Sequence, residues 1–190
     1  MYLFFDTETT GLPKNWKAPV TDLPNWPRMV QLAWLVYDEA GKEVSRVNYL
    51  IQPKGYRIPV GVSMMHGITT ERAAKEGIPL EAALAAFAGA VEDAVQLVAH
   101  NIAFDEKIVG AEFLRMGISS QLFDKPRLCT MKSTIDYCRL PGNYGKYKNP
   151  SLTELHQKLF GHKFDDAHDA LADVAACARC FFELRELGVM

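Results

Sequence analysis

Short apolar runs along the chain predict a set of β-strands. Residues 2–6 (YLFFD) are apolar, rich in aromatic residues and close to the N-terminus, which is typical of a buried strand. Two longer runs have the same character, and the polar turn between them predicts a hairpin. Two shorter runs follow later in the chain. The predicted strands are residues 2–6, 29–38, 43–51, 96–100 and 127–131.

Apolar positions at helical spacing predict four helices. Pro79 lies in the first turn of the first helix, and Gly117 ends the second. The third opens with a capping box, Ser151-x-x-Glu154, and ends at Gly161. The predicted helices are residues 78–93, 105–117, 151–161 and 169–187. Because strands joined by tight turns are followed by alternating strands and helices, we predict an α/β fold, with a mixed five-stranded sheet and helices on both faces.

Residues 13–28 interrupt this pattern. The segment is rich in proline and polar residues and includes Trp16 and Trp26, so we expect an irregular excursion. Three interpretations of it stay open: a lid, a partner surface, or a layer packed over the sheet.

Length and composition predict a single domain spanning residues 1–190. Hydrophobic residues make up 48% and charged residues 23% of the chain, which is the balance of a soluble globular protein. It has no run of about eighteen apolar residues and no secretory leader, and its 4 cysteines do not suggest a disulfide framework. We therefore expect a reduced, cytoplasmic protein with no membrane association.

The net charge of −2 argues against a protein that coats nucleic acid through a broad basic face. It leaves room for a local site at which metal ions neutralise phosphate. The positions of the carboxylates therefore decide the function.

Asp6 and Glu8 stand two residues apart at the end of the first predicted strand. Residues at this spacing point to the same face of a strand. One interpretation is a strand that ends in ordinary polar residues. The other is a cation site, since two like charges held on one face repel each other unless a cation lies between them.

Asp105 follows the fourth predicted strand, with the neutral hydrogen-bonding residue Asn101 beside it. An acid in the first turn of a helix is stabilised by the helix dipole and needs no further role. The ends of strands in open α/β sheets are, however, where binding sites gather. Both interpretations stay open for Asp105 considered alone.

The stretch DDAHDALADV, residues 165–174, is the densest acidic segment. His168 and Asp173 are five residues apart, so they converge only if His168 precedes the last helix and Asp173 lies one turn inside it. Asp173 also has apolar neighbours, which disfavour an unpartnered carboxylate. Ordinary helix-start and solvent-facing acids account for the remaining three, Asp165, Asp166 and Asp169.

Together these residues resemble the DEDDh, or DnaQ-like, family of 3′–5′ exonucleases. The segments FFDTETTGL, VAHNIAFD and HDALADV stand for the three exonuclease motifs of the family, in order, and HGIT and NPSLTEL resemble further family segments. The tyrosine branch of the family would need a tyrosine at position 169, where this chain has aspartate. The histidine branch is therefore indicated, and with it a ribonuclease H-like fold.

The resemblance implies a two-metal mechanism that uses Mg²⁺ or Mn²⁺, hard ions that prefer carboxylate oxygens. Asp6 would bridge both ions, Glu8 and Asp173 would bind the first, and Asp105 would hold the second. His168 would take a proton from the attacking water. The expected activity is release of nucleoside 5′-monophosphates from single-stranded DNA 3′ ends, of a proofreading or repair type.

The resemblance also suggests residues that contact the terminal nucleotide, each with an ordinary alternative. Leu12 is a candidate wedge against the last base or a core leucine. His66 is a candidate pocket residue or a capped loop residue, and Phe104 either stacks on a base or packs under its helix. The proposed substrate-binding set is Thr9, Leu12, His66, Asn101 and Phe104.

Alternative functions also stay open. An RNA-trimming exonuclease of the same family is the first, and a catalytically silent nucleic-acid-binding module is a weaker one. Cys177-x-x-Cys180 lies inside a predicted helix without a second ligand pair, so buried thiols are favoured over a zinc site. The chain ends at Met190 without the tail that tethers proofreading subunits, so we expect a stand-alone enzyme or another mode of polymerase association.

Overall fold

The computed structural model describes residues 1–165 and 167–190. The prediction made for Asp166 therefore lies outside the described residues. The strands are β1 (Tyr2–Thr9), β2 (Met29–Tyr37), β3 (Glu43–Leu50), β4 (Gln96–Ala99) and β5 (Arg127–Cys129). The α-helices are α1 (Val60–His66), α2 (Thr70–Glu76), α3 (Leu80–Asp93), α4 (Ile102–Met116), α5 (Thr130–Ser133), α6 (Ile135–Cys138), α7 (Leu152–Phe160) and α8 (Ala170–Glu186).

The five strands form one mixed sheet in the order β3-β2-β1-β4-β5. β1 pairs antiparallel with β2 and parallel with β4, so it is the central strand. β2 pairs antiparallel with β3, and β4 pairs parallel with β5. The predicted mixed five-stranded sheet is confirmed.

Side chains alternate between two cores on opposite faces of the sheet. Leu3 and Phe5 of β1 belong to the core that includes Phe87 of α3 and Ile108 of α4. Phe4, between them, belongs to the core on the α8 side of the sheet. The predicted helices on both faces are confirmed, and this alternation also sets the directions of the acidic residues that follow Phe5.

Two predicted elements, the first strand and the second helix, were too short. β1 continues to Thr9 because residues 6–8 stay paired with β2, with Asp6 opposite Ala33 and Glu8 opposite Gln31. α4 begins at Ile102 rather than Asp105, with Asn101 as its N-cap residue. Helices α1, α2, α5 and α6 were not predicted, since four to seven residues are too few to show helical periodicity.

The irregular excursion of residues 13–28 packs against α4. Trp26 is 3% exposed and belongs to the core on that face. Arg115 of α4 donates from Nη2 to the carbonyl oxygens of Leu23 and Trp26, at 2.7 Å each. Of the three interpretations left open, packing describes most of the segment.

Within the described residues, no helix combines the length and apolar character needed to cross a membrane. Cys177 and Cys180 are buried on α8 as free thiols, and the Cys177 Sγ lies 3.6 Å from the Thr130 hydroxyl. This placement agrees with the buried-thiol interpretation.

Candidate active site

Asp6 and Glu8 project from the C-terminal half of the central strand. Both lie on the face of Phe4, which is the α8 face, because side chains alternate along β1. Each is partly buried. Thr7, between them, points to the opposite face and is buried.

Asp105 is held in a fixed position by Thr7. It lies in the first turn of α4 and is 3% exposed. Its Oδ1 accepts hydrogen bonds from the Thr7 backbone N–H at 3.0 Å and from the Thr7 hydroxyl at 2.8 Å. Asn101 precedes the helix in the left-handed conformation, with φ 70°, so the chain turns sharply from β4 into α4.

His168 lies outside the last helix and Asp173 lies inside its first turn. α8 begins at Ala170, so the predicted start just after His168 is confirmed. His168 has φ 75°, a left-handed conformation, and its backbone N–H donates to Asp173 Oδ2 at 3.3 Å. The loop therefore folds back over the helix start, which resolves the five-residue spacing of these two residues.

Among the described residues, one group of His, Cys, Asp and Glu side chains has the proximity of a metal site. It consists of Glu8, His168 and Asp173, whose candidate ligand atoms all lie within 4.8 Å of one another. β1, the loop before α8 and α8 itself each contribute one member. The structure thus brings together residues that are up to 165 positions apart in the sequence.

Burial and mutual repulsion disfavour the charged forms of these carboxylates. Burial, followed by the charges of Asp173 and Asp105, raises the pKa of Glu8 to about 8. Burial also raises the pKa of Asp173 to about 6, against the opposing effect of the His168 backbone N–H. The pKa of Asp6 is raised well above its ordinary value by burial and then by Asp105 and Asp173.

Asp105 belongs to the same electrostatic cluster. Burial raises its pKa to about 7, although the two hydrogen bonds from Thr7 act in the opposite direction. All four carboxylates predicted from the sequence therefore interact with one another. A site of this kind favours a bound cation, because a cation stabilises the charged forms that burial and, to a smaller extent, mutual repulsion disfavour.

Two of the remaining acids differ in part from what was expected. Asp169 is the predicted cap, accepting from the backbone N–H groups of Leu171 and Ala172, but it is partly buried and also accepts from Gln31 Nε2 at 3.1 Å. Asp165 precedes α8 by five residues and is exposed, so it is a solvent-facing acid, one of the two ordinary roles expected for it, and not a helix-start acid.

Gln31, which was not predicted as a site residue, connects β2 to the start of α8 through hydrogen bonds. Its Oε1 accepts from the Ala170 N–H at 3.2 Å, and its Nε2 donates to Asp169 and to Asn48. Gln31 is 2% exposed and stands opposite Glu8. A lone amide in an apolar strand was the available signal, because a buried polar group needs partners.

The predicted substrate-binding residues differ in exposure and in the contacts that they make. Leu12 is 72% exposed, so its alternative as a core leucine is wrong. His66 ends α1 and is buried; its Nδ1 accepts from the Ile68 N–H, as in the capped-residue alternative. Phe104 is half-buried against Trp16, and Thr9 is buried with its hydroxyl donating to the Gly11 carbonyl oxygen.

His66 nevertheless adjoins the cluster. Its Nε2 is buried without a hydrogen-bond partner among the described residues. Burial lowers the pKa of its ring, the nearby Thr9 backbone opposes that shift, and the proximity of His168 lowers the pKa further. An imidazole nitrogen left unpaired beside the acidic cluster is available to a ligand.

A mixed sheet with four interacting carboxylates and an imidazole at its central strand defines a candidate cation-dependent phosphodiester hydrolase. The chain belongs to the exonuclease family, because the RNase T family model, described as exonuclease, matches residues 3–181. This match confirms the resemblance to DnaQ-like exonucleases. A search of curated proteins gives no significant match.

Similar solved structures are those of exonuclease I. An E. coli exonuclease I complex with a dT13 oligonucleotide has a TM-score of 0.76 and 22% identity, covering 97% of this chain and 40% of that one. A product-bound exonuclease I has a TM-score of 0.75 and 20% identity, covering 97% and 43%. A zinc-bound E. coli exonuclease I–ssDNA complex has a TM-score of 0.74 and 20% identity, covering 98% and 40%.

These similarities confirm the ribonuclease H-like exonuclease fold. The chain spans less than half the length of the exonuclease I structures that it matches.

Proposed function

We propose that this protein is a metal-dependent 3′–5′ exonuclease that removes nucleoside 5′-monophosphates from the 3′ ends of single-stranded DNA, in proofreading or repair. The observation that carries this proposal is the convergence of Glu8, His168 and Asp173 within 4.8 Å, next to Asp6 and Asp105. Membership of the exonuclease family supports the reaction class. We also propose that residues 1–190 act as one exonuclease domain.

The residues present fit a pair of hard divalent ions. The proposed donors are carboxylate oxygens, and the raised pKa values mean that the metal-free chain disfavours its own negative charges there. Burial raises the pKa of Cys177, so its thiol stays protonated and is a poor metal ligand. Mg²⁺ or Mn²⁺ is therefore the proposed cofactor.

In this proposal Asp6 would help to hold both ions, Glu8 and Asp173 would hold the first, and Asp105 would hold the second. When bound, the ions would neutralise charge on the phosphoryl group and lower the pKa of a water molecule. Thr7 keeps Asp105 oriented through its two hydrogen bonds. Hydrogen bonds from a residue that is not itself a proposed metal ligand therefore fix the Asp105 carboxylate before substrate binds.

His168 is proposed as the general base that takes a proton from the attacking water. Its side chain is exposed, while its ring lies within reach of Glu8 and Asp173. An exposed imidazole exchanges protons with solvent between turnovers. The left-handed backbone at His168 holds the ring at the rim of the site rather than on α8.

We propose that Thr9, Leu12, His66, Asn101 and Phe104 bind the terminal nucleotide. Leu12 supports this proposal by its exposure on the loop that follows β1, and His66 by its unpaired Nε2. Structures of E. coli exonuclease I in complex with oligonucleotides share the fold, which motivates single-stranded DNA as the substrate. Association with a polymerase stays a separate proposal.

The test is cleavage of a 5′-labelled single-stranded DNA by purified protein with Mg²⁺ or Mn²⁺. We expect stepwise shortening from the 3′ end that stops when a chelator is added. Asp6→Ala should abolish both metal binding and cleavage. An RNA strand of the same sequence, run in parallel, decides between the DNA and RNA alternatives.

A second comparison separates the role of His168 from that of the metal ligands. His168→Ala should lower turnover by orders of magnitude while Mn²⁺ affinity, measured by calorimetry, stays largely unchanged. Asp165→Ala is the matched control, because Asp165 is exposed in the same loop. Loss of Mn²⁺ affinity in His168→Ala would make His168 a ligand rather than a base. Unaltered turnover would reject both roles.

A further inference from the structure

Trp16 is an exposed tryptophan that packs against the residue preceding Asp105. Trp26 and Trp34 are each 3% exposed, whereas Trp16 is 52% exposed. Its ring packs against that of Phe104, with ring centroids 5.6 Å apart and planes tilted by 43°. Phe104 immediately precedes Asp105, so one aromatic ring separates the exposed indole from the residue that carries a site carboxylate.

The loop that carries Trp16 is held in place from both sides. The Asn15 N–H donates to Asn25 Oδ1 at 2.7 Å, and Asn25 Nδ2 donates back to the Asn15 carbonyl oxygen at 3.0 Å. Lys107 of α4 donates from Nζ to the carbonyl oxygens of Trp16 and Ala18, at 3.3 Å each. The indole is therefore exposed on a braced segment, which limits the conformational entropy lost when a ligand binds.

Positive charge flanks the indole. Lys14 and Lys17 are both exposed on the sequence KNWK, and neither forms an ion pair among the described residues. Exposed aromatic rings stack on nucleobases, and neighbouring ammonium groups attract the phosphates. A local basic segment is notable in a chain of net charge −2.

We propose that Trp16 and Phe104 form an aromatic shelf on which a base of a single-stranded nucleic acid stacks, while Lys14 and Lys17 contact its phosphates. The inference rests on the proposed function, because Phe104 immediately precedes Asp105, one of the carboxylates proposed to hold the metal ions at the cleavage site. It divides the excursion into two parts. Residues 18–28 pack against α4, and residues 13–17 guide the strand.

Binding is measured with a 5′-fluorescein dT oligonucleotide in Ca²⁺, an ion that binds carboxylate oxygens, with strand integrity checked on a gel. Trp16→Ala should weaken binding about 5- to 100-fold, the range expected for loss of one stacked base, and Trp16→Phe should weaken it less. Leu187→Ala is the matched control. It also truncates an exposed apolar side chain, 53% exposed, at the far end of α8.

The lysines give an independent measurement. Replacing both Lys14 and Lys17 with glutamine should reduce the slope of log affinity against log salt by about 1.4, as expected when two phosphate contacts with a single strand are lost. This variant keeps the Trp16–Phe104 contact, so it tests the substrate path even if Trp16→Ala folds poorly.

Quenching of intrinsic fluorescence by acrylamide reports mainly on Trp16, since the other two tryptophans are buried. Oligonucleotide should quench wild-type emission and protect the indole from acrylamide, and both effects should disappear in Trp16→Phe. A merely structural role for Trp16 would change the melting temperature without producing this quenching.

The outcomes separate the shelf from the enzyme activity. Wild-type cleavage together with unchanged affinity in Trp16→Ala overturns the shelf and leaves the proposed function standing. Wild-type binding that depends on Trp16 without any cleavage supports the shelf and rejects the activity. A wild-type protein that neither binds nor cleaves the strand rejects both.

Discussion

Asp173→Asn should stabilise the metal-free protein at pH 8, although it removes a candidate metal ligand. Burial raises the pKa of Asp173 to about 6 from an ordinary value of 3.8. Above both values, this difference corresponds to about 3 kcal/mol of lost folding free energy. Because the side chain is partly exposed and solvent screens its charge, we expect a gain of about 1–3 kcal/mol.

The sign of the effect depends on pH in a defined way. A carboxyl group with a raised pKa in the folded state contributes fully to stability below pH 3.8, and this contribution is lost as the pH rises through about 6. Asparagine is neutral at every pH and still offers an oxygen to the His168 N–H. The advantage of the variant should therefore be largest at pH 8 and should shrink as the pH falls toward 4.5.

Thermal melts in the presence of a chelator measure this difference. For a chain of this length, 1–3 kcal/mol corresponds to a rise in melting temperature of about 2–12 °C. Asp165→Asn is the control, since it removes an exposed charge from the same loop. Adding Mn²⁺ should stabilise the wild type more than Asp173→Asn. A variant that melts at or below the wild-type temperature at pH 8 would refute the reasoning that the buried charge of Asp173 destabilises the metal-free chain.

Three further predictions concern the site and the packing around it. The rise in melting temperature on adding Mn²⁺ should be larger at pH 8 than at pH 6. Burial raises the pKa of Glu8 to about 8, and its proton must leave before a cation binds. Equal rises at the two pH values would contradict this linkage. Glu112→Gln should lower the free energy of unfolding, measured in urea, by about 3 kcal/mol, since Glu112 is fully buried and pairs with Arg28 at 2.8 Å. A change below about 1 kcal/mol would show that the ion pair is dispensable. Gly77→Ala should lower the free energy of unfolding by about 1–3 kcal/mol, because the added Cβ would lie 2.3 Å from a backbone oxygen. Gly89→Ala within α3 has open space around the added Cβ, so in the same assay it should raise the free energy of unfolding by up to about 1 kcal/mol.

The helices that were predicted from the spacing of apolar positions are those long enough to show a helical period. β2 and β3 match the apolar runs, and α7 has the capping box of Ser151 and Glu154 together with the Gly161 end. α1 and α2 have seven residues each and depend on packing around Ile68 and Ala73, so their own pattern carries little signal. Tertiary contacts form these short helices, which is why they were missed.

The candidate site shows the same division. The side-chain alternation of β1 predicted that Asp6 and Glu8 share a face, and the spacing from His168 to Asp173 predicted where α8 begins. Neither pattern indicates which long-range partner a side chain meets. The Thr7–Asp105 hydrogen bonds join residues 98 positions apart, and the Gln31–Ala170 bond joins residues 139 positions apart. Such contacts follow from the packing of the whole sheet.

These two contacts also explain how a chain maintains a cluster of carboxylates that repel one another. Thr7 prevents Asp105 from turning away, and Gln31 fixes the start of α8, which carries Asp173. The carboxylates therefore stay buried and close together, so burial first and neighbouring charges second raise their pKa values. The same rigidity that destabilises the metal-free chain increases its affinity for a divalent cation, because the cation removes repulsion without first reorganising the site. Loosening either anchor should stabilise the free chain less than neutralising Asp173 does, since it removes a buried hydrogen bond at the same time.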